Sequence, residues 1–160
     1  MSLSQNPDAS RNNRRQHETL RLEVQNLRAA LDSLAAYSEA IANLRSLHEV
    51  AEHLRLLLSD IPAHMAHEER TVLEVMGGLG PEEARFAELM REQHHMLSNG
   101  LAQLFQKLNE IHDSNDLRTS LRELQEHGEH FANLLIHHMD TEDRRLNSSA
   151  EAREIAIARS

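Results

Sequence analysis

Two short blocks constrain this chain most, because each places a glutamate four residues after a histidine. The block at 64–69 (HMAHEE) pairs His64 with Glu68, and the block at 138–143 (HMDTED) pairs His138 with Glu142. On an α-helix, positions i and i+4 lie on the same face. Two such helices facing each other would direct two imidazoles and two carboxylates at one place. Both groups are metal ligands, so the blocks predict a metal site between helices.

The rest of the chain has the character of an all-α protein. Among its 160 residues are one tyrosine, three phenylalanines, five glycines and three prolines. Strand-forming aromatic residues and turn residues are therefore scarce. Apolar residues recur at helical spacing in four segments of about 30 residues joined by short turns. This pattern predicts an up-down-up-down antiparallel four-helix bundle.

The predicted domain organisation is simple. Residues 1–10 are polar and are expected to form a flexible N-terminal segment. The bundle is expected over residues 11–147. Residues 148–160 are weakly patterned and are expected to form a C-terminal tail.

Helix boundaries follow from turn and capping residues. The first helix is expected to end near Leu44, since Ser46 and Glu49 have the spacing of a capping box that would begin the second helix. The glycine-rich stretch 77–81 should end the second helix, and the polar stretch 113–116 should precede the fourth.

Each predicted helix has one inward face. The positions on these faces are His17, Leu20, Val24, Leu27, Leu31, Leu34, Ser38 and Ile41; Val50, Leu54, Leu57, Ile61, His64, Glu68, Val72 and Val75; Ala87, Met90, His94, Leu97, Leu101, Leu104 and Leu108; and Leu117, Leu121, Leu124, Phe131, Leu135, His138, Glu142 and Leu146. Four histidines and two glutamates interrupt these apolar faces. In an antiparallel bundle all six fall at the same end, within about 6 Å along the axis.

Spacing alone does not identify these six residues as ligands. Four of the twelve histidines have an acidic residue at i+4, and roughly two such pairs are expected by chance in a chain of this composition. The candidate ligands are instead identified by the helical face on which each histidine lies. His67, His95 and His137 share faces with polar residues and are predicted to lie on the surface. His127 is interpreted as a structural or rim residue, as are His53 and His130. Buried carboxylates close together are costly unless cations compensate them, which favours a pair of metal ions.

Composition excludes several classes of function. The formal net charge of −9 argues against a nucleic-acid partner. No apolar run approaches 18 residues and the N-terminus has no apolar signal-like region, so we expect no membrane segment and a cytoplasmic location. The chain has no cysteine, which excludes disulfides and thiolate-held clusters.

Glu69 and Asp143, next to the inward glutamates, are either partners of the ligand imidazoles or exposed acids.

With these residues identified, the sequence resembles the hemerythrin-like (HHE cation-binding) domain family over about residues 14–146. It is most similar to the four-His/two-Glu di-iron type of repair-of-iron-centres proteins. The resemblance implies a non-haem centre of two Fe ions, bridged by Glu68, Glu142 and an oxo or hydroxo group. It assigns His17 and His64 to one iron, and His94 and His138 to the other.

The chain departs from oxygen-carrying hemerythrins, which place two histidines one turn apart on the third helix. Here Met90 and Ser98 lie one turn from His94. This difference disfavours reversible oxygen transport. The cysteine-bearing N-terminal segment of the repair-of-iron-centres proteins is also not found in this sequence.

Three functions follow as hypotheses. The first is a di-iron protein that binds or senses O2 or NO, or handles iron in a stress response. The second is a di-iron enzyme that acts on peroxide or NO. The third is a helical interaction module that holds no metal.

Overall fold

The protein is a four-helix bundle, as the sequence predicts. A computed structural model describes the backbone of residues 7–36 and 40–158, and the side chains of residues 11–34, 44–111 and 113–146. Its helices are α1 (Pro7–Ala36), α2 (Ala40–Glu68), α3 (Pro81–Glu110) and α4 (Leu117–Ala158). Each helix packs against its two neighbours in the order α1, α2, α3, α4 and back to α1. The connections between helices are short, so neighbouring helices run antiparallel.

The boundary between the first two helices differs from the prediction. Helix α1 ends at Ala36 rather than near Leu44, and α2 begins at Ala40. Ser46 lies buried inside α2, so the predicted capping box is wrong. Its glutamate, Glu49, instead forms an ion pair with Arg45 one turn earlier, at 3.4 Å. A Ser-x-x-Glu pattern also fits the side of a continuing helix, and the sequence between the two helices has no glycine or proline to mark the break.

Helix α4 is longer than expected. It has 42 residues and continues to Ala158, through the segment predicted as a tail. Although the helices are long, none in the described part of the chain is apolar enough over its length to cross a membrane. The side chains of residues 1–10 and 148–160, and those of Ser38 and Ile41, lie outside the described residues. The flexibility of the N-terminal segment therefore stays a prediction.

Where the structure describes them, most of the predicted inward positions are buried, and the main departures lie after Glu68 and at the start of α4. After Glu68, α2 passes into a π-helical turn, Glu69–Leu73, and then a last α-helical turn, Glu74–Gly77. A π-turn adds one residue to the helical repeat, which shifts the inward face. Leu73 and Met76 are consequently buried, whereas the predicted Val75 is only half-buried. At the start of α4, the predicted Leu117 is exposed.

A polar layer divides the interior into two apolar clusters. The larger cluster fills most of the bundle and includes Leu27, Leu57 and Leu97. The smaller cluster closes one end and includes Leu73 and Met90. On α2, α3 and α4, the ligands Glu68, His94 and Glu142 lie in the sequence between residues of these two clusters. The fold therefore surrounds the six polar residues with apolar side chains.

Candidate metal centre

The structure brings all six predicted ligands together in this polar layer. The six residues are His17 from α1, His64 and Glu68 from α2, His94 from α3, and His138 and Glu142 from α4. None of them is more than 3% exposed. The charged and polar atoms of the cluster are therefore removed from bulk water, where an uncompensated carboxylate is costly.

Glu68 lies at the centre of the cluster. Its Oε1 atom is 3.3 Å from Nε2 of His17 and 3.0 Å from Nε2 of His64. Its Oε2 atom is 3.1 Å from Nε2 of His94 and 3.6 Å from Nε2 of His138. Each carboxylate oxygen thus faces one pair of imidazoles. This is the placement that a carboxylate needs to serve two cations at once.

The ligand atoms form two overlapping groups, each with its members within 4.8 Å of one another. We call these groups the first position (His17, His64, Glu68 and Glu142) and the second position (Glu68, His94 and His138). The ring centroids are 4.8 Å apart in the histidine pair of the first position and 5.0 Å apart in that of the second. Two cations could therefore lie side by side and share Glu68.

Carboxylates hold two of the imidazoles from outside. Asp143 Oδ1 accepts a hydrogen bond from Nδ1 of His17 at 2.8 Å. Glu69 Oε1 accepts one from Nδ1 of His94 at 3.0 Å. Both acids are therefore partners of imidazoles, although Glu69 is also an exposed acid, whereas Asp143 is half-buried.

Amides hold the other two imidazoles, a feature that the sequence analysis missed. Gln16 Oε1 accepts a hydrogen bond from Nδ1 of His64 at 3.0 Å, and Gln93 Oε1 accepts one from Nδ1 of His138 at 3.0 Å. A signal for both exists in the sequence, because each glutamine directly precedes another inward histidine, His17 or His94.

These outer hydrogen bonds decide which nitrogen of each ring faces inward as a ligand. Carboxylate and amide oxygens accept hydrogen bonds, so Nδ1 carries the hydrogen in all four rings. In the neutral ring, Nε2 then presents a lone pair to the centre of the cluster. The Nε2 atoms of His17 and His64 are only 3.2 Å apart, a distance that needs a proton or a cation between them. Nε2 of His138 and Oε2 of Glu142 are buried without a hydrogen-bond partner. The donor atoms therefore fit metal ions.

Burial and mutual contact shift the pKa values within the cluster. Burial lowers the pKa of His17, but its hydrogen bond with Asp143 and the nearby carboxylates of Glu142 and Glu68 outweigh this effect and raise the pKa to about 11. Burial and the adjacent Glu68 raise the pKa of Glu142 to about 8. For Glu68, burial raises the pKa, but hydrogen bonds with Glu142 and the histidines bring it well below its ordinary value. At neutral pH, His17 and Glu142 thus hold protons that a bound metal ion would displace.

The site repeats itself about an approximate two-fold axis. Helices α1 and α2 supply Gln16-His17 and the block from His64 to Glu69, and helices α3 and α4 supply Gln93-His94 and the block from His138 to Asp143. In both halves, the glutamine holds the histidine of the following block. In both halves, the acid that ends the block holds the histidine of the opposite half.

The neighbouring histidines lie outside the cluster, as predicted. His95 and His137 are exposed. His67, predicted to lie on the surface, is half-buried against α1, with its Nε2 atom 3.3 Å from Nδ2 of Asn12. His127 has a structural contact, because its Nδ1 atom donates a hydrogen bond to the backbone oxygen of Glu123 at 2.8 Å. The helical face thus separates the clustered histidines from their neighbours.

A cavity of about 280 Å³ leads from the surface to His64 between α1 and α2. Its lining residues are Arg15, Gln16, Thr19, Leu20, Asp60, Ala63 and His64. This volume admits water and small molecules. The cavity therefore offers a route from solvent to the outer edge of the first position.

Comparison with known families agrees with this geometry. The family model described as the hemerythrin HHE cation binding domain matches residues 8–148. The chain belongs to this family. Searches of curated proteins and of solved structures found no match. The family and the two buried His/Glu groups together make this hemerythrin-like chain a metal-binding domain.

Proposed function

We propose that this hemerythrin-like protein holds two iron ions and uses them to bind or sense O2 or NO, or to handle iron in a stress response. The observation that carries the proposal is the placement of Glu68, whose two oxygens face two different histidine pairs. A carboxylate shared in this way, inside a four-helix bundle, is typical of centres with two iron or two manganese ions.

The chemistry of the donor set is compatible with iron. Imidazole and carboxylate ligands suit iron, zinc and manganese, and the chain has no cysteine to attract softer metals. His17 and His64 would hold one ion, His94 and His138 would hold the other, and Glu68 and Glu142 would serve both. Bound iron would supply redox activity and coordination positions for a small ligand.

The protein's own contribution is orientation and exclusion of water. The outer hydrogen bonds fix each imidazole with its Nε2 atom inward, so the donor atoms are arranged before a metal binds. The two apolar clusters close the layer from both sides. A site enclosed by apolar side chains and reached through the small cavity beside His64 favours small, neutral ligands such as O2 and NO over larger substrates.

The metal content of the purified native protein, measured with its absorption spectrum, tests the proposal. We expect about two irons per chain and a near-ultraviolet charge-transfer band of a bridged ferric pair. O2, NO and peroxide are then added in turn, and a change in this band without turnover supports binding or sensing. Sustained consumption of peroxide or NO would instead assign an enzyme. A folded protein without metal, or with one zinc, would overturn the proposal and favour a helical interaction module.

A further inference from the structure

We propose that Glu23 on α1 and Asp60 on α2 form an entry site for metal ions. A divalent cation from solvent binds first to their carboxylates and then passes through the adjacent cavity to the buried metal positions. This inference rests on the proposed function and deepens it, because it assigns the uptake of metal to named residues outside the polar layer.

The two carboxyl groups lie against each other between α1 and α2. Burial and the carboxyl of Asp60 raise the pKa of Glu23 to about 7, so the folded protein keeps a proton on this pair near neutral pH. Glu23 is only 9% exposed, and its Oε2 atom is buried without a hydrogen-bond partner among the described residues. The pair therefore needs positive charge, which a cation can supply in place of the proton.

Asp60 connects this pair to the cavity that reaches His64. Asp60 lines the cavity of about 280 Å³ and lies one helical turn before His64, on the same side of α2. Thr19 also lines the cavity and lies one helical turn before Glu23 on α1. The cavity therefore extends from the carboxyl pair to a ligand of the first position.

The lining of the cavity offers oxygen atoms to a passing cation. Asp60 has carboxylate oxygens, Thr19 has a hydroxyl group and Gln16 has an amide oxygen. Such oxygen donors bind hard divalent cations and replace part of the water that a cation loses on entry. Gln16 Oε1 is 3.0 Å from Nδ1 of His64, so the last oxygen donor along the cavity adjoins the first imidazole.

One residue of the lining acts against a cation. Arg15 is exposed and places a positive charge at the cavity. If metal ions enter here, this charge slows their entry, whereas the carboxylates of Glu23 and Asp60 promote it. The cavity thus allows the charge along one route to be changed in both directions.

The rate of metal uptake by the metal-free full-length protein, measured by stopped-flow absorption with Co²⁺ as the probe, tests the inference. We expect Glu23→Gln and Asp60→Asn each to slow uptake by about tenfold at low salt, because local negative charge raises the association rate of a cation. Arg15→Gln should speed uptake. These differences should shrink at about 1 M salt, where charges are screened. The final amount of metal bound per chain should match that of the wild-type protein.

Glu18→Gln and Asp32→Asn are the matched controls, because they make the same changes at exposed positions of α1 outside the cavity lining. Both should take up Co²⁺ at the wild-type rate. Wild-type rates in Glu23→Gln and Asp60→Asn would overturn the inference. Slower uptake that persists at high salt, without faster uptake in Arg15→Gln, would also overturn it, because altered packing rather than charge would then be the cause. The proposed function is decided separately, by the iron content of the native protein.

Discussion

Gln93 on α3 accepts a hydrogen bond from Nδ1 of His138 on α4 at 3.0 Å, and both side chains are buried. The amide fixes the ring so that Nε2 lies 3.6 Å from Glu68. Because an amide does not titrate, it keeps this orientation at a pH where a carboxylate partner would become protonated. Gln16 holds His64 in the same way. Each position thus has one imidazole held by a neutral group and one held by an acid.

Gln93→Leu should weaken the metal at the second position. The variant leaves Nδ1 of His138 buried without an acceptor and frees the ring to turn. We expect metal affinity to fall by about 10- to 100-fold, measured by competition with a chelator of known affinity. Glu92→Leu, at the exposed neighbouring position, should leave the affinity unchanged. Equal affinity in the two variants would contradict this role for Gln93.

Replacing clustered histidines should have a different effect from replacing their neighbours. His64→Ala and His138→Ala each remove a buried donor and should sharply reduce the iron bound per chain. His67→Ala and His137→Ala change residues that lie outside the cluster and should leave the iron content unchanged. Iron content is measured on folded protein of each variant, with helicity by circular dichroism as the check on folding. Similar iron loss in all four would contradict the assignment of ligands by helical face.

The sequence predicted the bundle and the six clustered residues because both follow from a single helical period. Residues such as His64 and Glu68 interrupt an otherwise apolar face, and that face is set by the 3.6-residue repeat. The π-turn after Glu68 was not predictable, because a local pattern does not reveal one added residue. The end of α1 at Ala36 was missed for a similar reason, since no glycine or proline marks it.

The contacts around the ligands also escaped prediction. Gln16 and His64 are 48 residues apart. Asn13, whose Nδ2 atom donates a hydrogen bond to Oε1 of Glu142 at 2.9 Å, is 129 residues from that glutamate. Such pairs depend on the register of one helix against another, which the periodicity of a single helix does not determine. Only Glu69 and Asp143 could be suggested, because they adjoin residues already identified as ligands.

The cavity between α1 and α2 predicts an effect on the rate of ligand binding. Ala63 is exposed and lines this cavity, so Ala63→Phe should fill part of its 280 Å³. We expect slower association of NO with the iron-loaded protein, measured by stopped-flow absorption, and an unchanged iron content. Ala66→Phe adds the same bulk at an exposed position that does not line the cavity. An association rate that is equal in both variants would mean that the ligand enters elsewhere.

Glu23 predicts a pH-dependent effect on stability. Burial, together with the neighbouring carboxyl of Asp60, raises the pKa of Glu23 from 4.5 to about 7. The folded protein therefore binds a proton at Glu23 more tightly than the unfolded chain does, and protonation of Glu23 favours the folded state. This contribution to stability is fully present below about pH 4.5 and is lost as the pH rises through 7. Above pH 7, the buried charge therefore costs free energy.

Glu23→Gln should remove this cost. We expect the free energy of unfolding at pH 8 to rise by about 1–3 kcal/mol, and the gain to shrink toward pH 4.5. Urea denaturation of the metal-free protein at both pH values measures this difference. Glu18→Gln removes the same charge at an exposed position of α1 and should give no comparable gain at pH 8. A gain of equal size at both pH values would contradict the assignment to Glu23 ionisation.

Gly128 allows α4 to approach α1 closely. A Cβ atom built at this position would lie 2.3 Å from Cδ1 of Leu31, which is only 3% exposed and has little room to move. Forcing such a contact in a packed core typically costs about 1–3 kcal/mol. Alanine has a better helix propensity than glycine, which offsets up to about 1 kcal/mol of this cost. We therefore expect Gly128→Ala to lower the free energy of unfolding by about 1–2 kcal/mol in urea denaturation.

Gly77 provides the comparison for this variant. Apart from its chain neighbours and the backbone of its own helix, a Cβ atom built there has no atom within 4 Å, so Gly77→Ala gains helix propensity without a clash. It should be neutral or slightly stabilising in the same measurement. If Gly128→Ala were as stable as Gly77→Ala, Leu31 would have to find another rotamer without cost. The contact of α4 with α1 at Leu31 would then tolerate an added methyl group.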